Sequence, residues 1–206
     1  MKTQHSILAY LLVAVLVALS STSPAKGQTK EYSGSGDDIV ILEKPDEGLP
    51  ALLVVSGNSQ SRHFSITSYS SSRERIDLLI NSTEPYSGIV AVDLPVGTET
   101  GILEITATGS WSIDVYHIGA APKISVENPK SDSGDNVLWI EGDASIATIT
   151  GNSSQRHFSV KSYNGNGNYS DLLVNTTDRY SGKVLLPKHT LLLQISAVGS
   201  WSIELQ

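Results

Sequence analysis

The stretch ILEITATGSWSIDV, residues 102–115, decides the class of fold. Leu103, Ile105 and Ala107 alternate with Glu104 and Thr106, and Trp111, Ile113 and Val115 alternate with Ser112 and Asp114. Successive side chains of a strand point to opposite faces, so each half reads as a strand with one face in a core and one in water. Thr108-Gly109-Ser110 between them is a short hairpin loop, and Gly109 is expected to supply a positive φ there. The same alternation predicts strands at Ile39–Leu42, Ala51–Ser56, His63–Ser68, Ile76–Asn81 and Gly88–Leu94. No stretch beyond residue 28 carries a helical period, so the chain reads as all-β. Seven short strands cannot bury one flat sheet, and two sheets packed face to face are the expected solution.

The stretch recurs as LLQISAVGSWSIEL at 192–205, with 8 of 14 positions identical. Gly57–Gly88 likewise matches Gly151–Gly182 without a gap at 17 of 32 positions, and Ser35-Gly36-Asp37 returns as Ser133-Gly134-Asp135. An internal duplication is therefore expected, with repeats at 33–118 and 133–206 and a linker at 119–132. The predicted architecture is two tandem antiparallel β-sandwiches of jelly-roll or immunoglobulin-like kind. Ile124-Ser125-Val126 could form a stray strand on either repeat. The four-residue differences in length fall near Lys44–Gly48 and Val96–Thr100, where loops tolerate them.

Ahead of this unit, a basic start at Met1-Lys2, an apolar run from Ile7 to Leu19 and small residues up to Gly27 form the three-part layout of a secretory signal peptide. The run has 13 residues, short of the roughly 20 a membrane span needs. Cleavage after Ala25 or Gly27 is expected, with no C-terminal sorting tail and a secreted or periplasmic product. The whole chain of 206 residues is 39% hydrophobic with a formal charge of −7; cleavage after Ala25 removes only Lys2 among the charges and leaves 13 basic residues against 21 acidic, a balance of −8. An acidic surface without a basic cluster argues against nucleic acid and anionic membranes as partners. The chain has no cysteine, which excludes disulfides, thiolate metal sites and a cysteine nucleophile.

Candidate chemistry centres on Arg62-His63-Phe64-Ser65 and its copy Arg156-His157-Phe158-Ser159. With Phe64 turned inward, His63 faces out, so arginine and histidine could grip a carboxylate or sulfate; the plainer reading pairs Arg62 with an acid such as Asp77. Tyr69 and Tyr163, with Tyr169 and Trp139, are candidate stacking platforms for a sugar, whereas Trp111 and Trp201 belong to the core. Asp37, Asp38 and Asp135 are weak calcium candidates, and Asn164, Asn166 and Asn168 faintly follow a calcium loop, although turn formation explains both stretches. Asn81 and Asn175 are expected to bond turn amides, with Tyr86 and Tyr180 packed over the turns. Sequons stand at Asn81, Asn152, Asn168 and Asn175 and matter only in a host that glycosylates exported proteins. No G-x-S-x-G occurs, which makes a secreted hydrolase a remote reading.

GSGDD at 34–38, DLLIN and YSG within 77–88 and ATGSWSI at 107–113, each with a counterpart in the second copy, resemble the small secreted bacterial β-sandwich repeats of the pre-peptidase C-terminal-like kind. That resemblance implies an accessory module beside other extracellular domains and carries over no catalytic or binding residue. The Arg-His pair departs from it. The expected function is a non-catalytic binding or adhesion module for a glycan or cell-surface partner, with no required cofactor. The alternative is a structural envelope or matrix protein that assembles through β-edges.

Overall fold

The computed structural model describes residues 28–206; the expected leader and both cleavage points lie outside the described residues. The first sandwich contains β1 (Gln28–Ser35), β2 (Asp38–Ile41), β3 (Ala51–Gly57), β4 (Phe64–Tyr69), β5 (Arg75–Ser82), β6 (Tyr86–Val92), β7 (Ile102–Ala107) and β8 (Ser110–His117). These form two antiparallel sheets in the orders β1-β8-β3-β6 and β2-β7-β4-β5. Pairing first with last, second with seventh, and so inward, is the jelly-roll arrangement of a long antiparallel ribbon rolled on itself.

The second sandwich contains β10 (Lys130–Ser133), β11 (Asn136–Ile140), β12 (Ile146–Gly151), β13 (Phe158–Asn164), β14 (Tyr169–Thr176), β15 (Tyr180–Leu185), β16 (Thr190–Ala197) and β17 (Ser200–Leu205). Its sheets run β10-β17-β12-β15 and β14-β13-β16-β11, so the strand order of the first sandwich recurs; the second of these sheets gains β9 (Lys123–Ile124) at the β11 edge. Among the described residues no helix is long and apolar enough to cross a membrane.

Alternation fills each core as expected. Leu53, Val55, Phe64, Ile66, Leu103, Ile105, Trp111, Ile113 and Val115 close the first, and Ala147, Ile149, Phe158, Val160, Leu193, Ile195, Trp201, Ile203 and Leu205 the second. The buried Trp111 and Trp201 donate their indole N–H groups to the carbonyls of Gly36 and Gly134, so each indole both fills the core and ties down a turn.

Four expectations need correction. Residues 119–132, expected as a linker, hold β9 and the start of β10, both hydrogen-bonded into the second sandwich. The first sandwich begins at Gln28 rather than 33, because β1 pairs along β8 from Gln28↔Tyr116 to Ser35↔Ser110. Its polar sequence, QTKEYSGS, hides a strand that has only one partner and lies at a sheet edge. Gly109 and Gly199 do not take positive φ; that geometry falls on Gly36 (φ 80°) and Gly134 (φ 77°), whose N–H groups donate to the Gly109 and Gly199 carbonyls. Turn amides near Asn81 and Asn175 are held instead by hydroxyls: Ser82 accepts from the Glu84 N–H and Thr176 from the Asp178 N–H.

The two sandwiches are packed together. Leu52, Ile89, Ala91 and Tyr116 on the outer face of β3, β6 and β8 meet Val137, Trp139, Tyr163 and Leu192 on the outer face of β11, β13 and β16. The Ile89 N–H, on the free edge of β6, donates to the Asp135 carbonyl at 2.9 Å, and the Val96 N–H donates to the Gly167 carbonyl at 3.3 Å.

Candidate functional site

A cleft of about 390 Å³ opens where the turn before β6 meets the loops of the second sandwich, lined by Glu84, Tyr86, Asp135, His157 and several serines. Local sequence builds both walls. Asn58, at φ 59°, donates its amide to the Arg62 carbonyl at 2.6 Å and to the Glu84 carbonyl at 2.8 Å, while its Oδ1 accepts the Arg62 N–H at 2.7 Å. Asn152, at φ 59°, repeats the device with the Arg156 N–H, the Arg156 carbonyl and the Asp178 carbonyl. Asparagine tolerates the left-handed region and supplies donors and an acceptor at once. These two residues fix how each Arg-His pair is presented. In the sequence Asn152 stands out only as a sequon, although Gly-Asn-Ser occurs in both copies with its asparagine four residues ahead of the arginine.

The two Arg-His pairs have different surroundings. Arg62 and His63 are exposed on the first sandwich, and no ion pair joins Arg62 to Asp77 among the described residues. Arg156 reaches across the joint to Glu84, with Nη2 and Oε1 3.9 Å apart, and His157 stands on the cleft wall where its charge acts on Asp135. Asp135 accepts the Tyr86 hydroxyl at 2.8 Å and the Ala197 N–H at 2.9 Å. Burial pushes the Asp135 carboxyl up from its ordinary value, opposed by those two hydrogen bonds and by His157. Burial, reinforced by the neighbouring carboxylate, also pushes the Tyr86 phenol up, so it stays a donor.

The remaining candidates are largely taken up by the fold. Tyr163 is no stacking platform: it is buried in the joint, donates to Gln194 at 2.9 Å and is pushed up to about 12 by burial. Tyr69 is half-exposed and donates to Glu104 at 2.6 Å. Trp139 packs into the joint, and the exposed Tyr169 stands edge-on to Tyr163 at 6.0 Å. Asp37 caps the Ala107 N–H and Asp38 the Ile39 N–H, the turn role of short acidic side chains. Asn164 accepts the N–H groups of Asn166 and Asn168 in the same way. Asn152 is buried, whereas Asn81, Asn168 and Asn175 are exposed.

No family model and no curated protein matches the chain. Among solved structures it is similar to the regulatory subunit of a cAMP-independent protein kinase A from Trypanosoma cruzi, at 9% identity and TM-score 0.25 over 85% of this chain and 71% of that one. It is also similar to the triple jelly-roll protein of an archaeal virus, at 13% identity and TM-score 0.25 over 87% of this chain; the match spans 58% of the viral chain.

Proposed function

We propose that the protein is a non-catalytic extracytoplasmic binding module that holds a surface glycan in the cleft between its sandwiches. The observation that carries this reading is that His157 and two carboxylates from turns of different sandwiches, Glu84 and Asp135, line one cavity, with Arg156 standing 3.9 Å from Glu84. Carboxylates, an imidazole and serine hydroxyls together offer the donors and acceptors that sugar hydroxyls require. The export signal read at residues 1–27 supports the location, and the acidic balance supports a partner other than nucleic acid or anionic lipid.

A glycan array probed with the purified processed protein tests the reading. Glu84→Ala and His157→Ala are expected to lower retention at least tenfold, while the pair Arg62→Ala and His63→Ala leaves it unchanged. No glycan retained, or equal loss from both sets of variants, would reject the cleft as the site.

A further inference from the structure

The joint uses one face of each sandwich, and its two counterpart faces remain open. On the first sandwich Ile39 lies opposite Glu104, while Ile41 and Tyr69 both lie opposite Ile102. On the second, Val137 lies opposite Gln194, while Trp139 and Tyr163 both lie opposite Leu192. The register is the same, so Ile39, Ile41, Tyr69 and Ile102 hold the places of the four residues that dock in the joint. Ile39 and Ile41 are 56% and 64% exposed, an apolar patch whose counterpart is covered.

The opposing half of the joint has a free counterpart too. Leu52 lies opposite Ala91 in the joint; Ile146 lies opposite Leu185 on the second sandwich, where Leu185 is 77% exposed. Tyr180 packs on Phe158 with ring centres 6.4 Å apart, as Tyr86 packs on Phe64 at 6.1 Å. A Cβ on Gly182 would meet the Tyr180 hydroxyl at 2.9 Å, and one on Gly88 the Tyr86 hydroxyl at 2.9 Å, so both phenols lie over a glycine toward the sheet edge. Tyr86 donates to Asp135, but no hydrogen bond from the Tyr180 hydroxyl occurs among the described residues. The matching acceptor is Asp37, exposed, with Oδ1 held by the Ala107 N–H as Asp135 Oδ1 is held by the Ala197 N–H. Charge agrees as well: Glu104 replaces Gln194 on one half, and Lys183 replaces Ile89 on the other.

We propose that the Ile39, Ile41, Tyr69 and Ile102 face receives the Ile146, Leu185 and Tyr180 face of a second copy, so that the internal joint recurs between chains. Such a contact is head-to-tail: each chain keeps one free half, and association continues as an open series unless the rotation closes a ring. It differs from the glycan reading in using neither the cleft nor His157.

Sedimentation velocity on the processed protein, with Ile41→Asp and Leu185→Asp, tests this. Both changed residues are exposed, and near-ultraviolet circular dichroism shows whether each variant keeps its fold; Tyr180→Phe, which removes one hydroxyl, serves if either does not. The wild type is expected to grow past the dimer with concentration, each aspartate variant to remain a monomer, and their equimolar mixture to form a one-to-one dimer and stop. Tyr180→Phe is expected to weaken association about tenfold. A wild type that stays monomeric to millimolar concentration, an Ile41→Asp variant that assembles normally, or a mixture that stays monomeric would overturn the proposal.

Discussion

The two sandwiches share a strand order and differ in what covers the same face. In the second, Val137, Trp139, Tyr163 and Leu192 are packed against the first sandwich, and β9 bonds the open edge of β11 through the Trp139 and Glu141 N–H groups. In the first, the counterpart face is open, and the end of the β2 edge is blunted by one side chain: the Tyr32 hydroxyl donates to the Ile41 carbonyl and accepts the Glu43 N–H. Loops differ as well. Lys44 joins Asp93 and the half-exposed Glu99 in a clip across the two longer loops of the first sandwich; the Lys44 and Asp93 side chains are 3% and 2% exposed. One framework can thus carry a docking surface or a free one by changing a few outward residues while the inward set stays aliphatic and aromatic.

The comparison breaks most sharply at Leu192 and Ile102. Leu192 is buried in the joint, and Leu192→Ala is expected to cost about 2–5 kcal/mol in denaturant unfolding of dilute protein. Ile102→Ala, at the corresponding place but half-exposed, is expected to cost less than about 1 kcal/mol. Equal losses would mean that the joint contributes nothing.

A smaller, pH-dependent effect sharpens the contrast. Burial raises the Asp135 carboxyl, so its contribution to stability is complete below the ordinary value of 3.8 and is lost as pH rises through the higher folded value. The hydrogen bond from Lys44 lowers Glu99, so its contribution is present above 4.5 and is lost as pH falls through the lower folded value. Thermal melts of wild type and Asp135→Asn across this range should show the wild type losing ground to the variant as pH rises above 3.8. A constant difference would show that Asp135 is not shifted by the joint.

Much of the fold was legible in the sequence because inward positions announce themselves. The alternation around Leu103, Ile105, Trp111 and Ile113 requires strands with a buried face, and those strands stand where the pattern puts them. β1 was not legible, because an edge strand of mixed polar residues carries no alternating apolar face. The joint was hidden for a different reason. Tyr69 and Tyr163 are the same residue in the same motif, and only the packing of a second sandwich makes one half-exposed and the other buried. The cleft was half-visible: Arg156 and His157 stood out as a repeated pair, whereas Glu84 and Tyr86 become partners only through tertiary contact.

Amide hydrogen exchange at two corresponding edge positions tests most directly the claim that the sandwiches are joined through these faces. Ile89 and Lys183 hold the same register on the free edges of β6 and β15, but only the Ile89 N–H has an acceptor, the Asp135 carbonyl, among the described residues. In dilute protein, Ile89 is expected to exchange slowly and Lys183 fast. An Ile89 amide that exchanges as fast as that of Lys183 would contradict the account.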